Sequence, residues 1–246
     1  MRVKLFALPA IGLAVLLVWG FAGLPDFGHY RGPYGIVLDQ VEVRERRATD
    51  VVASVVLDYR GFDTVGEEFI LFAAAVGVAL LLRAGREEQE EEPVEQAEAR
   101  NRPPTTDAVR TLGLGLAGPI VLLGLYVVAH GHLTPGGGFQ GGVVLATASV
   151  LVALSGRYLA FRRLNPITML DAAEALGAGG LPAAGVAAMI SGSAFLANVL
   201  PLGRVGDLFS AGTLPVLNLS IGIAVAAGFV LILSEFLEQT LAIHRR

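Results

Sequence analysis

Long uncharged runs separated by short charged segments are the main pattern along the chain. Five runs of 21, 19, 24, 29 and 27 residues follow Lys4, Arg110, His132, Glu174 and Asp207. A helix of about 20 apolar residues crosses the roughly 30 Å hydrocarbon layer of a bilayer. The pattern therefore predicts membrane spans, and we place them at residues 5–24, 110–129, 139–157, 168–190 and 213–238.

A sixth run, between Glu68 and Arg83, has only 14 uncharged residues. A helix of that length rises about 21 Å, which is too short for the hydrocarbon layer. Beginning the helix at Thr64 lengthens it to about 28 Å and places Glu67 and Glu68 in the outer zone of the membrane or against protein. Thr64 is then the N-cap and Glu67 the third helical residue, as in a capping box, whereas Glu68 points about 100° away, toward the headgroups.

Two polar regions separate these runs. Residues 25–63 are mixed in character, which predicts an extramembrane loop with a short interfacial helix at 49–57. Residues 84–108 carry seven glutamates within 12 positions, followed by Asn101-Arg102-Pro103-Pro104. Such a segment buries little apolar surface and is expected to be a disordered or loosely helical linker. It divides the chain into a two-helix module (1–83), the linker (84–108) and a four-helix module (109–246).

The fold class that follows is all-α, a polytopic integral membrane protein with about six transmembrane helices in a 2 + 4 arrangement. The first run follows basic residues and admits a second interpretation as a cleaved signal peptide, although 20 apolar residues are long for one. Lys and Arg concentrate on the cytoplasmic side of membrane proteins. Placing both termini and the charged linker in the cytoplasm puts 12 of the 18 basic residues there.

Composition agrees with this picture and excludes several classes of protein. The chain is 54% hydrophobic and 16% charged, against about 45–50% and about 25% in ordinary soluble domains. These values exclude a soluble enzyme, a disulfide scaffold and a nucleic-acid binder. The absence of cysteine excludes thiol-ligated clusters, covalent haem attachment and cysteine nucleophiles. No catalytic constellation or cofactor fingerprint appears, so we expect neither an enzyme active site nor a cofactor in this chain.

Ionisable groups at membrane depth cost at least about 2.5–3.5 kcal/mol each and mark functional candidates. Glu67 is the first, as a proton or cation relay, with the helix-capping role as the alternative. Asp63 lies nearby and is expected to pair with Arg60. Asp171 and Glu174 open the predicted span 168–190 and are further relay candidates, although carboxylates also stabilise a helix start through its dipole.

His130 and His132 end the third span and precede a glycine-rich turn. They are candidate proton carriers, because imidazole titrates near neutral pH. A His-x-His pair can also begin a metal site, but no third ligand of suitable spacing follows, and the turn lacks the Gly-Lys-Ser/Thr ending of a phosphate loop. We therefore expect no metal here, but a tight backbone turn in which Gly138 and Gly142 let another helix approach closely.

The segment His130-Gly131-His132-Leu133-Thr134-Pro135-Gly136-Gly137-Gly138-Phe139-Gln140-Gly141-Gly142 resembles the signature of the B subunit of Mrp-type (Mnh-type) multisubunit Na+/H+ antiporters. A second stretch extends the resemblance over about 108–240. It comprises Phe195-Leu196, Pro201-Leu202-Gly203, Leu208-Phe209-Ser210-Ala211-Gly212 and Pro215-Val216-Leu217-Asn218.

The preceding segment, Val55-Val56-Leu57-Asp58-Tyr59-Arg60-Gly61-Phe62-Asp63-Thr64-Val65-Gly66-Glu67, is similar to the C-terminal tail of the large A-type protein of the same antiporters. In that family the glutamate after Arg-Gly-Phe-Asp-Thr-x-Gly is implicated in cation or proton transfer. The resemblance therefore implies that role for Glu67. Here the A-type tail is joined to a B-type module through the acidic linker.

The resemblance implies a non-catalytic ion-translocation subunit of a Mrp-type cation/proton antiporter module. Its expected partners are other membrane subunits, transported Na+ and H+, and the lipid of a prokaryotic cell (inner) membrane, with no nucleic acid. The same modules occur in membrane arms of complex I-related assemblies such as membrane-bound [NiFe] hydrogenases, which is the alternative. A third hypothesis is a purely structural assembly subunit. The chain has a single lysine, Lys4. A proton pump that works through buried lysines cannot be built from this chain alone, which argues that the chain is part of a pump.

Overall fold

The structure, a computed structural model, describes residues 2–24, 32–87, 105–155 and 158–243. Within these ranges the regular elements are helices, as the sequence predicts. They are α1 (Arg2–Ala22), α2 (Pro33–Arg46), α3 (Val51–Ser54), a π-helical segment (Val55–Tyr59), α4 (Gly61–Glu87), α5 (Asp107–Ala129), α6 (Gly138–Leu154), α7 (Tyr158–Leu164), α8 (Ile167–Ile190) and α9 (Leu214–Ile243).

Four of the described helices are long and apolar enough to cross a membrane. They are Gly61–Arg83, Asp107–Ala129, Ile167–Ile190 and Leu214–Gln239, with 23 to 26 residues each. Two further predicted spans coincide with shorter apolar stretches, Ile11–Ala22 and Gly138–Leu154. The chain is thus a multi-pass, all-α membrane protein.

The chain divides into two compact units, residues 1–38 and 39–246. In the first unit, α1 is a single helix whose residues 11–22 are all exposed, including Trp19 and Phe21. A helix that is apolar on every side and exposed is suited to lipid or to neighbouring membrane subunits.

In the second unit, α9 is the central helix. It packs along α4, α6 and α8, and α5 packs mainly on α6. More than half of its membrane window is buried within the chain, whereas no more than a third is buried in each of the other three long spans. Leu217, Ile221 and Val225 of α9 lie in one apolar cluster, and Val230 and Leu231 lie in another. The core of this unit therefore follows one helix, and the surrounding helices present broad apolar faces outward.

Glycines allow α5, α6 and α9 to approach closely. A Cβ atom added at Gly141 would lie 2.8 Å from the backbone nitrogen of Val128 in α5. One added at Gly142 would lie 2.9 Å from the carbonyl oxygen of Gly222 in α9. Both distances are too short for a side chain, so the predicted close approach of another helix at the Gly138–Gly142 pair is confirmed, with α9 as that helix.

The start of the second predicted span is corrected by the structure. Helix α4 begins at Gly61 and not at Thr64, because the π-helical segment leads into it almost without a break: the backbone N–H of Asp63 already donates to the carbonyl of Arg60. Thr64 is therefore inside the helix, and its hydroxyl donates to the carbonyl oxygen of Val56 at 2.6 Å. The capping box predicted for Thr64 and Glu67 is wrong.

The polar regions differ in how well they are described. The predicted loop 25–63 is largely helical over its described part, with α2 and the segment 51–59, and the latter overlaps the short helix predicted at 49–57. The acidic linker falls mostly in residues 88–104, outside the described residues. Helix α4 extends to Glu87 before it, and α5 begins at Asp107 after it.

Candidate functional site

The Glu67 side chain lines a cavity of about 350 Å³ together with the glycine-rich turn that precedes α6. Thr64, Gln140 and Asn218 also contribute to its lining, as does the backbone of Gly136–Gly138. Among the described lining residues, Glu67 is the charged one. Two segments separated by about seventy residues, each singled out in the sequence, thus meet in one place. We call this space the Glu67 cavity.

Backbone hydrogen bonds hold these two segments together. The amides of Thr49 and Asp50 both donate to the carbonyl oxygen of His132, at 3.0 and 3.3 Å. The Thr49 hydroxyl donates to the carbonyl of Leu133. Asp50 then caps α3, accepting the Val52 amide at 3.1 Å. The short helix that forms one wall of the cavity is therefore anchored to the turn that forms another.

The glycine-rich turn has a backbone that other residues adopt with difficulty. Gly136 and Gly137 have φ angles of 151° and 133°, a region that favours glycine. The amide of Gly138 donates to Oδ1 of Asn218 at 2.8 Å. A Cβ atom at Gly138 would lie 2.3 Å from the carbonyl oxygen of Asn218. The side chain and backbone of this one α9 residue thus fix the turn against the central helix.

Two ion pairs of different burial lie around the start of α4. Arg60 pairs with Asp63, as predicted, and both side chains are more than half exposed. Arg46 pairs with Asp58 and also lies over the Tyr59 ring, 4.9 Å from its centroid. Burial raises the pKa of Asp58, and the Arg46 charge opposes that shift.

Glu42 forms a second buried polar contact in this segment. It accepts a hydrogen bond from Ser54 at 2.6 Å and is fully buried. Burial raises the pKa of Glu42, and the hydrogen bond from Ser54 partly offsets this. Its place within the protein makes it a structural contact between α2 and α3.

The burial of the two adjacent glutamates is the reverse of the prediction. Glu67 is exposed on the surface of this chain and faces the cavity, whereas Glu68 is 2% exposed and has no hydrogen-bond partner on either carboxylate oxygen. The prediction that Glu68 faces the headgroups is wrong. Gly61, Thr64 and Glu68 are buried positions at helical spacing on one side of α4, and Glu67, about 100° away from Glu68, lies outside that stripe.

The two histidines have different environments, and neither lines the Glu67 cavity. His130 is partly exposed and stacks on Tyr126 with 4.1 Å between ring centroids. His132 is fully buried. Burial lowers the pKa of His132, and the nearby backbone of Asp207 and Leu208 partly opposes this. Burial therefore disfavours the charged form of the His132 ring, and its role as a proton carrier stays a prediction.

A second polar cluster lies at the other end of α4, remote from the Glu67 cavity. Arg83 binds Asp171 of α8 through both terminal nitrogens, at 2.9 and 3.1 Å, and donates from Nε to Glu235 of α9 at 2.7 Å. Glu235 is fully buried. We call these three residues the Arg83 cluster. Glu238, three residues further along α9, is also buried.

Glu174 lies one helical turn after Asp171 and is 3% exposed, with no hydrogen-bond partner on Oε1. That oxygen would be 3.2 Å from a Cβ added at Gly228 of α9, a position also close to Leu71 and Ala75 of α4. Glu174 therefore projects into the contact between three helices. No group of three or more His, Asp or Glu residues is placed to hold a metal ion in the described parts of the chain.

Chemically, the Glu67 cavity offers one carboxylate, amide groups of Asn218 and Gln140, and glycine backbone. A carboxylate with carbonyl oxygens is a donor set for hard cations and for protons. Asn218, Glu68 and the Arg83–Glu235 pair are site residues that the sequence pattern did not predict. Asn218 could have been predicted from the sequence, because it ends the Pro215–Asn218 stretch singled out there.

Comparisons with known proteins agree with this architecture. Residues 108–231 match the family model described as a domain related to the MnhB subunit of Na+/H+ antiporter. An uncharacterized protein of Methanocaldococcus jannaschii is 29% identical over 235 residues, which cover 86% of this chain and 85% of that protein. A probable K(+)/H(+) antiporter A/B subunit of Rhizobium meliloti is 32% identical over 146 residues, which cover 52% of this chain and 15% of that protein.

Two solved structures have similar folds. A chain of the membrane-bound sulfane sulfur reductase, an archaeal respiratory membrane complex, superposes with a TM-score of 0.73 at 31% identity and covers 98% of this chain and 99% of that one. A chain of the Mrp complex from Dietzia sp. superposes with a TM-score of 0.71 at 24% identity and covers 96% of this chain and 26% of that one. The chain thus corresponds to about a quarter of the Dietzia protein, but to the full length of the reductase chain.

Proposed function

Because the chain belongs to the family of domains related to the MnhB subunit of Na+/H+ antiporters, we propose that it moves ions as part of such a module, with Glu67 as the carboxylate that meets the moving ion. The chain is a multi-pass membrane subunit of a Mrp-type antiporter module or of a related membrane complex. The proposal adds a direct role in cation or proton transfer at a named site.

The observation that carries this proposal is the position of Glu67. It is exposed on this chain yet faces a cavity bordered by the glycine-rich turn, Gln140 and Asn218. A carboxylate at membrane depth costs free energy unless it is paired, hydrated or used. Exposed on this chain and facing the cavity, Glu67 is suited to receive a cation or proton from a neighbouring subunit.

The domain organisation is part of the same proposal. Residues 1–83 form a module resembling the A-type tail, 84–108 a cytoplasmic linker, and 109–246 the B-type module, with both termini in the cytoplasm of a prokaryotic cell. Helix α4 of the first module packs on α8 and α9 of the second. This packing supports a design in which Glu67 is presented to the turn of the B-type module.

A second candidate function is the same role inside a redox-driven complex. It is favoured by the full-length match to one chain of an archaeal respiratory membrane complex, whereas the antiporter proteins match only over a fraction of their length. In that setting, electron transfer on other chains would drive the ion movement. Mass spectrometry of the purified complex separates the two: redox subunits favour this candidate, and their absence from an active complex favours the antiporter module.

The experiment that tests the proposal is Glu67→Gln in membrane vesicles that contain the assembled complex. We expect Na+-dependent proton exchange to fall at least about tenfold, because a group that transfers protons is replaced by an amide of similar shape. The matched control is Glu45→Gln, an exposed carboxylate outside the cavity. Unchanged exchange in Glu67→Gln, at wild-type abundance of the complex, would instead support a purely structural assembly subunit.

A further inference from the structure

Two buried carboxyl groups inside the chain are not used by the Glu67 cavity. Glu68 is 2% exposed, and neither of its oxygens has a hydrogen-bond partner; Glu174 is 3% exposed, and its Oε1 has none. Burying a polar group without a partner costs about 1–3 kcal/mol. Burying both carboxyl groups without hydrogen-bond partners therefore lowers the stability of the chain, which points to a functional role. Ionisable groups in membrane interiors mark ion or proton routes.

These two groups lie along the same interface between helices. Glu68 is on the buried stripe of α4, one helical turn before Leu71. Leu71 and Ala75 lie close to the Gly228 position of α9, which the Glu174 carboxyl of α8 also approaches. One turn of helix corresponds to about 5 Å of rise. Along α4, Glu68 therefore lies about one to two helical turns, roughly 5–10 Å, from the positions that surround Glu174.

The interface has a polar group at each of its two ends. At one end, Glu68 is next to Glu67, which faces the Glu67 cavity. At the other end, Asp171 lies one turn before Glu174 and binds Arg83, and its side chain is 43% exposed. Glu68 and Arg83 are 15 residues apart on α4, or about 22 Å of helix rise. Carboxyl groups thus mark most of the thickness of the hydrocarbon layer.

We propose that Glu68 and Glu174 carry protons through the interior of this chain, between the Glu67 cavity and the Arg83 cluster. This proposal depends on the proposed function for its starting point at Glu67, but its residues are different. The route is separate from the surface between subunits, because Glu68 and Glu174 are enclosed by helices of this one chain.

Each transfer is a simple exchange of a proton between carboxyl groups. An O–H bond at Glu68 breaks, the proton passes through bridging water to the Glu174 carboxylate, and an O–H bond forms there. Gly228 contributes by leaving room beside Oε1 of Glu174, since a Cβ atom would lie only 3.2 Å from that oxygen. The O–H bond at Glu174 then breaks and the proton leaves to water beside Asp171, whose side chain is 43% exposed and so marks where the route reaches the surface.

The test uses the purified complex in proteoliposomes with an imposed Na+ gradient and a pH-sensitive dye inside. The variants are Glu68→Gln, Glu174→Gln and Glu67→Gln, with Glu45→Gln as the control. We expect proton flux to fall at least about tenfold in both Glu68→Gln and Glu174→Gln, and to stay at the wild-type level in Glu45→Gln. Glu174→Asp keeps a carboxyl group and is expected to restore part of the flux.

The variants separate the two proposals. If Glu67→Gln abolishes flux while Glu68→Gln and Glu174→Gln leave it intact, the internal route is overturned and the proposed function stands. If the two buried variants lose flux and Glu67→Gln does not, the internal route stands and the role of Glu67 fails. Unchanged flux in all three overturns both.

A second measurement applies even if a variant assembles poorly. In infrared difference spectra of the wild-type complex between two pH values, the route predicts a protonated-carboxyl band that shifts in D2O. Glu174→Gln, or Glu68→Gln if only that one assembles, is expected to remove part of this band. A band that is identical in wild type and in either assembled variant would overturn the proposal.

Discussion

The buried carboxylates at the two ends of α4 differ in whether they have a charged partner. At the Arg83 end, one guanidinium binds Asp171 with two nitrogens and Glu235 with a third, so that three helices are joined by charged hydrogen bonds. At the Gly61 end, Glu67 faces a cavity and Glu68 is buried with no partner. Each end has a buried carboxylate, but Glu235 is bound by Arg83, whereas Glu68 has no hydrogen-bond partner.

This difference indicates different roles for the two ends. A buried charge that is paired contributes to the specific position of its helices, and removing one partner is costly because the other is left uncompensated. A carboxyl group left without a partner contributes nothing comparable to packing. The free-energy cost of burying such a group is consistent with a role in exchanging protons or ions. The paired charges of the Arg83 cluster are thus expected to control stability, and the carboxyl groups without a hydrogen-bond partner to control transfer.

The largest expected effect on stability is that of Arg83→Gln. Asp171 and Glu235 would lose their shared guanidinium, and Glu235 is fully buried. Losing one partner of a buried pair costs about 3–5 kcal/mol, and because Arg83 itself is 32% exposed, screening by solvent reduces this to roughly 2–4 kcal/mol. We expect a clear fall in the midpoint of thermal unfolding of the purified chain in detergent.

The matched control is Arg110→Gln, at an exposed position in the first turn of α5. It removes the same charge without exposing a buried carboxylate, so its midpoint is expected to stay near that of the wild type. Equal losses in both variants would show that the Arg83 cluster has no special part in holding α4, α8 and α9 together.

Glu68→Met is expected to have a smaller effect, in the opposite direction. Methionine has a similar length, fills the same space and needs no hydrogen bond, so the variant removes an unsatisfied buried carboxyl group. The expected gain is about 1 kcal/mol, at the low end of the cost of such a group. Thermal unfolding measures it, and Glu68→Gln, which keeps a buried polar group, is expected to gain little or nothing. A strongly destabilised Glu68→Met would mean that this carboxyl has a structural partner and would remove the contrast between the ends of α4.

The sequence predicts the membrane spans well because their signal is local. Uncharged runs of about 20 residues can be counted without knowing what they pack against. Helix α8, for example, begins one residue before its predicted start and ends at the predicted residue, Ile190. The start of α4 cannot be predicted by counting uncharged residues. It depends on the π-helical segment before it, and on the Thr64 hydroxyl donating to Val56 instead of capping the helix.

Burial at the site depends on which face of α4 meets the rest of the chain. The sequence predicts that Glu68 points outward, but the buried face of α4 includes Glu68 and leaves Glu67 exposed. The pairing of Arg83 with Glu235 joins residues 152 positions apart, and no spacing rule connects them. The glycine-rich turn, by contrast, was predictable, because φ angles such as the 133° of Gly137 favour glycine whatever the surroundings.

The smallest expected effect is that of Asp63→Asn, at the Gly61 end of α4. Its ion pair with Arg60 is more than half exposed on both sides, and exposed pairs contribute about 0.2–1 kcal/mol or less. The nearby Asp58→Asn breaks the pair with Arg46, in which the Asp58 side chain is only 9% exposed, and is expected to lower the unfolding midpoint more. If Asp63→Asn were the more damaging of the two, the Arg60–Asp63 pair would be holding the start of α4, and with it the position of Glu67. Proton exchange in the same variant would then fall together with stability, whereas we expect both to stay close to the wild-type values.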